Sequence, residues 1–400
     1  MSVNVKHPFG KFNGNEAEYV LRALDSETPE NKEYSWVQRF EETFSTKVGT
    51  KYAIAVNSGT SGLHASLYAA GVEPGDEVIQ PSMTVVMDAY VTLHLGAVPV
   101  FVDIDQSTWN IDCNKIEEKI TEKTKAIIVV SLYGLPVDID PIMEIAKKYS
   151  LIVIDDSAET LMTKHKGRIA GTDAHLGVYS FEKSKHMTSG SEGGMIVTSD
   201  ENLAVRARKF AGIGYKGLTA EAGRTSLASS IYQDPDYERF DTIGFNYRMN
   251  AISAAVGLAQ LERIEALVER RKVIGRMFLD AIKGCDWIKT QKITEHSDHS
   301  YFTFGMLYLG AEKRGIPWKE FYNSYKSKGG DGFYGCWKPP YLEPSLRGMK
   351  IGSQAFEKGL CPTAEDYQKK IMAFKTNYRN LGEARDKVGI LSELIDKIGR

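Results

Sequence analysis

The chain has 400 residues, which is long enough for two domains. Of these residues 42% are hydrophobic and 26% are charged, as is typical of a globular protein. Its 50 basic and 52 acidic residues are mixed along the sequence and give a formal net charge of −2, so no nucleic-acid-binding surface is indicated. The apolar runs are strand-sized, so we expect no membrane span, and the N-terminus does not resemble a signal peptide. The four cysteines are scattered without CxxC spacing, which favours a reducing cytoplasm over a disulfide framework.

From residue 52 to residue 198, short β-rich runs alternate with helical patterns. Strands are predicted at Tyr52–Val56, Glu77–Gln80, Pro99–Val102, Ala126–Val130, Leu151–Asp155 and Leu176–Ser180. Helices are predicted at Gly62–Ala70, Met83–Leu95, Asn114–Ile120 and Ile139–Tyr149. This alternation is typical of a mostly parallel sheet covered on both faces, which binds ligands at the carboxyl ends of its strands. Met195–Thr198 follows a tight glycine turn and is predicted to be an antiparallel strand.

Downstream of the predicted sheet, an apolar stripe at 3.6-residue spacing predicts one long helix from Ala251 to Ala281. This helix would lead from a large domain to a smaller one. We therefore predict a large α/β domain over residues 1–265, including an N-terminal arm at 1–33, and a small α+β domain over 266–400. The segments 220–239 and 329–341 are candidates for substrate contacts.

A turn of small residues lies between the first predicted strand and the helix after it. Residues 57–62 read Asn-Ser-Gly-Thr-Ser-Gly, so the backbone can approach an anion and the hydroxyl groups can donate to it. The same residues also suit an ordinary helix N-cap, and both interpretations stay open at this point. The turn lacks the GxxxxGK[ST] pattern, which disfavours nucleotide hydrolysis.

The chemistry-bearing residues lie at the ends of two later strands. One apolar run ends in Asp155 and Asp156, and about 30 residues later Lys185 follows Ser180 and precedes a glycine-rich turn. A lone strand-end Asp is more often a helix cap, but two buried acids are costly to place, and only one of them can face a ligand. A pyridoxal phosphate (PLP) enzyme needs such a pair, because the lysine forms a Schiff base and the acid keeps the pyridine nitrogen protonated.

Two further segments are less specific. His186 suggests a general base, but a structural role is favoured, since the released amine of Lys185 can itself move the proton. Residues 244–250, Gly-Phe-Asn-Tyr-Arg-Met-Asn, are typical of a polar loop closed by an Asn N-cap.

Taken together, these residues resemble the DegT/DnrJ/EryC1/StrS family of sugar aminotransferases, which are fold-type I PLP enzymes. The landmarks, in chain order, are Phe40-Glu41, Ser58-Gly59-Thr60, Pro81-Ser82-x-Thr84, Val102-Asp103-Ile104-Asp105, Leu132-Tyr133-Gly134, Asp156, Ser180–Gly194, Asn246-Tyr247-Arg248-Met249 and Cys361-Pro362. The resemblance covers residues 34–370. It implies an α/β fold like that of aspartate aminotransferase, with a mostly parallel mixed sheet flanked by helices and a smaller α+β C-terminal domain.

The resemblance also implies cofactor contacts for a set of side chains: Thr60, Ser61, Val85, Asp156, Glu159, Ser180, Lys185 and Asn246. Lys185 and Asp156 form the catalytic pair of Schiff-base lysine and pyridine-nitrogen partner. Asn246 reaches the PLP phosphate of the other subunit, which implies a homodimer with shared sites. Glu159 stands where Gln or His is common, and Val85 where an aromatic ring often stacks on the pyridine.

The implied reaction moves an amino group from L-glutamate to a keto sugar, here a nucleotide-linked 4-keto-6-deoxy sugar for glycan or lipopolysaccharide synthesis. A PLP-dependent keto-sugar dehydratase of the same family is the alternative, but those enzymes carry His in place of the lysine, and Lys185 is present. A keto sugar without a nucleotide, or a keto-cyclitol, is a further alternative substrate. A non-catalytic scaffold would have no reason to keep both the lysine and the acid.

Overall fold

The computed structural model describes residues 11–26, 35–221, 223, 229–352, 354–378 and 380–400. Its strands, in chain order, are β1 (Tyr52–Val56), β2 (Glu77–Pro81), β3 (Val98–Val102), β4 (Thr124–Val130), β5 (Ile152–Asp156), β6 (Lys164–His165), β7 (Arg168–Ile169), β8 (Leu176–Ser180), β9 (Gly194–Thr198), β10 (Ile288–Lys289), β11 (Thr303–Tyr308), β12 (Tyr334–Gly335), β13 (Lys350–Ile351), β14 (Gln354–Ala355) and β15 (Ile371–Lys375). Its α-helices are α1 (Glu16–Ser26), α2 (Trp36–Val48), α3 (Gly59–Ala69), α4 (Met87–His94), α5 (Ile139–Tyr149), α6 (Glu201–Ala211), α7 (Ser229–Tyr232), α8 (Ala251–Leu261), α9 (Ile264–Ala281), α10 (Gly310–Arg314), α11 (Trp318–Ser327), α12 (Pro362–Gln368) and α13 (Leu381–Ile398).

A seven-stranded sheet in the order β1-β9-β8-β5-β4-β2-β3 forms the large part of the molecule. Strands β8, β5, β4, β2 and β3 pair in parallel, whereas β9 is antiparallel to both of its neighbours, as predicted. Valine and isoleucine dominate these strands because both faces of the sheet are buried. The fold class predicted from the sequence is therefore confirmed, and the carboxyl ends of all strands except β9 meet at one edge.

The second sheet is antiparallel, in the order β10-β11-β15-β12. Its core includes Trp287, Phe304 and Phe321 together with side chains of α9 and α13. No helix in the described ranges is long and apolar enough to cross a membrane. The predicted domain boundary at residue 265 stays a prediction: Ile264 and Val268 of α9 pack with the large sheet's helices, and Phe278 packs in the second core.

The single long helix predicted over Ala251–Ala281 is wrong, because α8 ends at Leu261 and α9 begins at Ile264. Between them, Arg263 has φ −119° and ψ 12°, outside the helical region. The side chains of Glu262 and Arg263 at this break bind the N-terminal segment: Glu262 accepts hydrogen bonds from Asn15 and Tyr19. The interruption thus turns two charged side chains towards the N-terminal residues.

Three other predicted helices also differ from the structure in their bounds. The helix predicted over 114–120 is a pair of short 3₁₀ turns, Cys113–Lys115 and Glu117–Lys119. The helix predicted from Met83 begins only at Met87. The helix predicted from Gly62 begins three residues earlier, at Gly59, so the small-residue turn is itself the first turn of α3.

Candidate active site

The carboxyl ends of the central strands bring the predicted site residues to one edge of the sheet. Strands β5 and β8 are neighbours in parallel, with Asp156 opposite Val178 in the register. Asp156 therefore ends its strand beside the end of β8, which carries Ser180. The turn after β1 reaches the same edge, because β1 and β8 both run antiparallel to β9.

The small-residue turn after β1 forms a cradle at the N-terminus of α3. Ser58 caps the helix by accepting a 3.1 Å hydrogen bond from the Ser61 N–H, and the Ser61 hydroxyl donates to Asn57 Oδ1 at 2.6 Å. A Cβ at Gly59 would lie 3.0 Å from Ser180 Cβ, so the absence of a side chain lets this turn pack closely against the end of β8. Thr60, Ser61 and Ser180 are thus brought together at a helix N-terminus, where backbone N–H groups lack intrahelical partners.

Lys185 lies in a tight turn that its own backbone stabilises. The Lys185 N–H donates to Glu182 O at 2.9 Å, and the Phe181 N–H donates to Gly193 O at 2.8 Å, which closes the turn onto the start of β9. The Lys185 side chain is 17% exposed, and its Nζ lies 3.4 Å from Glu159 Oε1 and 4.3 Å from the ring centroid of Phe302. The amine is therefore held at the sheet edge but stays open to a ligand.

The paired acids at the end of β5 have different surroundings. Asp155 accepts hydrogen bonds from the Gly171 N–H at 2.9 Å and from the Ser131 hydroxyl at 3.4 Å, and burial raises its pKa to about 7. Burial raises the pKa of Asp156 to about 6, while the nearby Lys185 ammonium acts in the opposite direction. Asp156 thus faces Lys185 and Asp155 faces the protein interior, the alternation expected along a strand.

A third carboxyl group, Asp88 on α4, lies behind Asp156. Its side chain is fully buried, and Oδ2 accepts a 2.6 Å hydrogen bond from the Thr84 hydroxyl. Burial, and then the negative charge of Asp156, raise the pKa of Asp88 well above its usual range. Asp88 is therefore harder to ionise in the folded protein than a solvent-exposed aspartate.

This leads to a prediction about stability in the absence of cofactor. Because the pKa of Asp88 is raised in the folded state, the folded protein holds a proton that the unfolded chain releases above about pH 4. The contribution of Asp88 to stability therefore falls as pH rises above about 4 towards its raised pKa in the folded protein. Asp88→Asn removes this effect. We therefore expect the free energy of unfolding of Asp88→Asn minus that of wild type to increase by roughly 1 to 3 kcal/mol between pH 4 and pH 7.

Denaturant unfolding of both proteins at several pH values between 4 and 7.5 measures this difference. Asp386→Asn, which removes an exposed acid on α13, serves as the control and should show no such trend. A difference between wild type and Asp88→Asn that stays constant with pH would show that Asp88 is ionised in the folded protein.

Glu159 is oriented by the turn that follows β4. Its Oε2 accepts a 2.8 Å hydrogen bond from the Tyr133 N–H, while Oε1 faces Lys185. Tyr133 has φ 58° in the left-handed region, which a side chain adopts only at a cost, and this conformation aims its N–H at Glu159. Ser300 closes the arrangement by donating to the Glu159 carbonyl at 3.1 Å.

The remaining predicted residues occupy less enclosed positions. Val85 follows β2 at the same sheet edge and is 38% exposed. Asn246 is exposed in a segment whose neighbour Tyr247 accepts a 2.8 Å hydrogen bond from the Asn57 N–H of the cradle. His186 is buried near Phe302, and burial lowers its pKa well below the usual value, so the ring is neutral and suits a packing role better than a general base.

Sequence reasoning missed several residues that shape the site: Lys11, Asp88, Arg271 and Phe302. Asp88 did leave a signal, since it is the single acid in the apolar stretch 83–95. Lys11 and Arg271 act through main-chain carbonyls, and Phe302 acts through its ring face. Those contacts leave no pattern along the chain.

Known proteins of similar sequence identify the family of this chain. The profile of the DegT/DnrJ/EryC1/StrS aminotransferase family matches residues 11–373. The chain is 38% identical over 301 residues to the GDP-perosamine synthase of Escherichia coli O157:H7, covering 75% of this chain and 77% of that protein. This chain belongs to the DegT/DnrJ/EryC1/StrS aminotransferase family.

Other relatives agree with this assignment. The GDP-perosamine synthase of Caulobacter vibrioides is 42% identical over 267 residues, covering 66% of this chain and 67% of that protein. An aminotransferase structure from Psychrobacter cryohalolentis superposes with a TM-score of 0.81 at 28% identity over 97% of each chain. The chain is therefore a PLP-dependent aminotransferase, as the sequence predicted.

The residues present fit PLP. The glycine-lined cradle against Ser180 suits a phosphate, and the buried Asp156 carboxylate suits a protonated ring nitrogen. Lys185 is the amine that reaches the same edge of the sheet. Among the described residues, no cluster of His, Cys, Asp and Glu side chains could hold a metal ion.

Proposed function

We propose that this enzyme transfers the amino group of L-glutamate to the keto group of a nucleotide-linked 4-keto-6-deoxy sugar. The observation that carries the proposal is Lys185 and Asp156 at one sheet edge, in a chain similar over three quarters of its length to a GDP-perosamine synthase. A GDP-linked sugar is therefore our first candidate substrate. The product would enter a glycan such as lipopolysaccharide, and we place the reaction in the cytoplasm.

Each residue has a distinct part in this proposal. When bound, PLP supplies an aldehyde that carries the amino group and a ring that accepts electrons. Lys185 holds the aldehyde and, once released, moves the proton at the reacting carbon. Asp156 holds the proton on the ring nitrogen, and Thr60, Ser61 and Ser180 bind the phosphate.

Glu159 and Val85 complete the proposed cofactor contacts. The Tyr133 N–H holds one Glu159 oxygen, which leaves the other beside Lys185. There the Glu159 carboxylate can accept a hydrogen bond from a protonated group at the cofactor's phenolic oxygen. Val85 would present an aliphatic surface to the ring face.

The dehydratase alternative is disfavoured because Lys185 is present and its amine is free to finish transamination. The proposal is tested by adding L-glutamate to the PLP-loaded protein and then a panel of keto-sugar nucleotides, with keto-cyclitols and free keto sugars in parallel. The visible absorbance band should shift with glutamate and return with the correct acceptor, and an aminated sugar should appear by mass spectrometry. An acceptor that loses water without gaining nitrogen would establish the dehydratase instead.

We further propose that the enzyme is a homodimer in which Asn246 binds the PLP phosphate of the partner subunit. The support is the exposed apolar character of the segment around Asn246: Ile243 is 92% exposed, and Phe240 and Phe245 are also exposed. Such a patch on a soluble chain favours burial against another protein surface. A second copy would bring the amide of Asn246 towards a neighbouring anion.

Mixing of subunits tests the shared site. Inactive Lys185→Ala and weakened Asn246→Ala protomers are unfolded together and refolded, so that heterodimers form. One site of each heterodimer then carries both defects and the other is intact. The mixture should therefore recover about one quarter of the wild-type sites. If heterodimers are confirmed by mass spectrometry and no activity returns, Asn246 does not act across the interface.

A further inference from the structure

Two cations converge on the backbone of the turn that bears Lys185. Arg271 on α9 is buried, and its Nη2 donates to the carbonyl oxygens of Ser184 and Lys185, the latter at 3.1 Å. Its Nη1 donates to the carbonyl of Phe302 at 2.7 Å. The guanidinium of Arg271 therefore links the backbone of the turn that bears Lys185 to the backbone of Phe302. The Lys185 amine lies over the ring of this same Phe302.

The second cation comes from the N-terminal segment. Lys11 Nζ donates to the carbonyl oxygens of Lys183 and Lys185, the latter at 3.1 Å. The Lys11 carbonyl in turn accepts hydrogen bonds from Gln260 on α8 and from Arg263 Nη2, the latter at 2.9 Å. The Lys185 carbonyl thus accepts hydrogen bonds from two cations, Arg271 of α9 and Lys11 of the N-terminal segment.

This arrangement is electrostatically costly. Burial, and then the charge of Arg271, lower the pKa of Lys11 to about 8, and burial lowers the pKa of Arg271 to about 10. Among the described residues, neither cation has a carboxylate within ion-pair distance, although Glu182 lies near enough to favour both charges. A water molecule or a neutral donor could hydrogen-bond to the same carbonyl oxygens at a lower electrostatic cost. The use of two like charges instead indicates that the backbone of this turn is required to be held in one position.

We propose that Lys11 and Arg271 are positioning residues that fix the main chain at Lys185, so that its amine points at the cofactor aldehyde. The main chain at Lys185 sets the direction in which the side chain extends, and in the structure this places Nζ 4.3 Å from the Phe302 ring centroid and 3.4 Å from Glu159 Oε1. This inference rests on the proposed role of Lys185. A displacement of about 1 Å at a reacting atom can lower a rate about 100-fold.

The test measures where and how fast PLP bonds to the protein. Cofactor-free wild type, Arg271→Met and Lys11→Met are mixed with PLP, the visible band is followed, and borohydride then fixes the cofactor for peptide mass spectrometry. We expect band formation to slow about 100-fold in Arg271→Met and about 10-fold in Lys11→Met. We also expect part of the label to move from Lys185 to other lysines such as Lys183.

Two controls and a second test variant separate positioning from folding. Arg276→Met removes an exposed arginine of α9 that pairs with Glu269, and it should behave as wild type. Lys11→Arg keeps the charge and the donors and should restore labelling at Lys185. If Arg271→Met fails to fold, Lys11→Met still decides, because Lys11 lies in the peripheral N-terminal segment. Equal rates of band formation and equal labelling of Lys185 in Lys11→Met and Arg276→Met would overturn the inference. A wild-type protein that never bonds PLP at Lys185 would instead overturn the proposed function.

Discussion

Lys185→Ala is expected to lower aminotransferase activity at least about 1,000-fold, because the substitution removes both the covalent attachment and the amine that moves the proton. The side chain is not part of an apolar core, so the variant should stay folded. Turnover of glutamate with the acceptor sugar measures the first effect, and the unfolding midpoint in the absence of PLP measures the second. Turnover near the wild-type rate would exclude Lys185 as the Schiff-base residue.

The neighbouring lysine is the matched control for that experiment. Lys183 is exposed in the same turn, and its hydrogen bonds there are made by its backbone: the N–H donates to Ser191 O at 2.8 Å and the carbonyl accepts from Lys11. Lys183→Ala should therefore keep wild-type turnover and keep the visible PLP band. A comparable loss in Lys183→Ala would mean that the reactive lysine has been misassigned.

Asp156→Asn should have the second-largest effect, a loss of about 100-fold or more in turnover with a much smaller change in stability. A carboxylate beside the ring nitrogen favours the protonated ring, and a neutral amide cannot do so. Burial raises the pKa of Asp156 to about 6 in the free protein, so below that pH the free site loses its negative charge. We expect PLP affinity of wild type to weaken below about pH 6, and Asp156→Asn to lack this dependence.

Asp155→Asn separates the two neighbouring acids. Asp155 accepts from the Gly171 N–H inside the protein, so its replacement should change stability more than turnover. Steady-state kinetics and denaturant unfolding of the two variants, measured side by side, give the comparison. A harmful Asp155→Asn and a harmless Asp156→Asn in the kinetic assay would place the other acid at the cofactor.

The site contains more acid than a single pyridine partner requires. Asp88 lies near Asp156, which lies with Glu159 near Lys185, and burial followed by the charge of Asp156 raises the pKa of Asp88. The structure resolves the resulting repulsion by giving each carboxyl a separate partner: the Thr84 hydroxyl, the Ala158 N–H and the Tyr133 N–H, respectively.

Several landmarks that are far apart in the sequence meet in the structure. Asp103, at the end of β3, accepts hydrogen bonds at 2.9 Å from the N–H groups of Thr363 and Ala364, and so caps the helix that begins at Pro362. Glu41 accepts from the Ala55 N–H at 2.8 Å and pairs with the buried Arg208 at 3.0 Å. These motifs therefore stabilise the fold rather than contact the site.

The sequence by itself determined the alternating strands and helices, the antiparallel β9, the placement of Asp156 and Ser180 at strand ends, and Lys185 in the turn that follows Ser180. Those features depend on local periodicity and on the rule that parallel strands bring their carboxyl ends to one edge. Only the tertiary structure decided that α8 and α9 are separate. It alone placed Asp88 behind Asp156 and brought Lys11 and Arg271 to the Lys185 backbone. Such contacts join residues up to 174 positions apart through main-chain carbonyls and shared burial, and apart from the single acid Asp88 in an apolar stretch no local pattern of side chains indicates them.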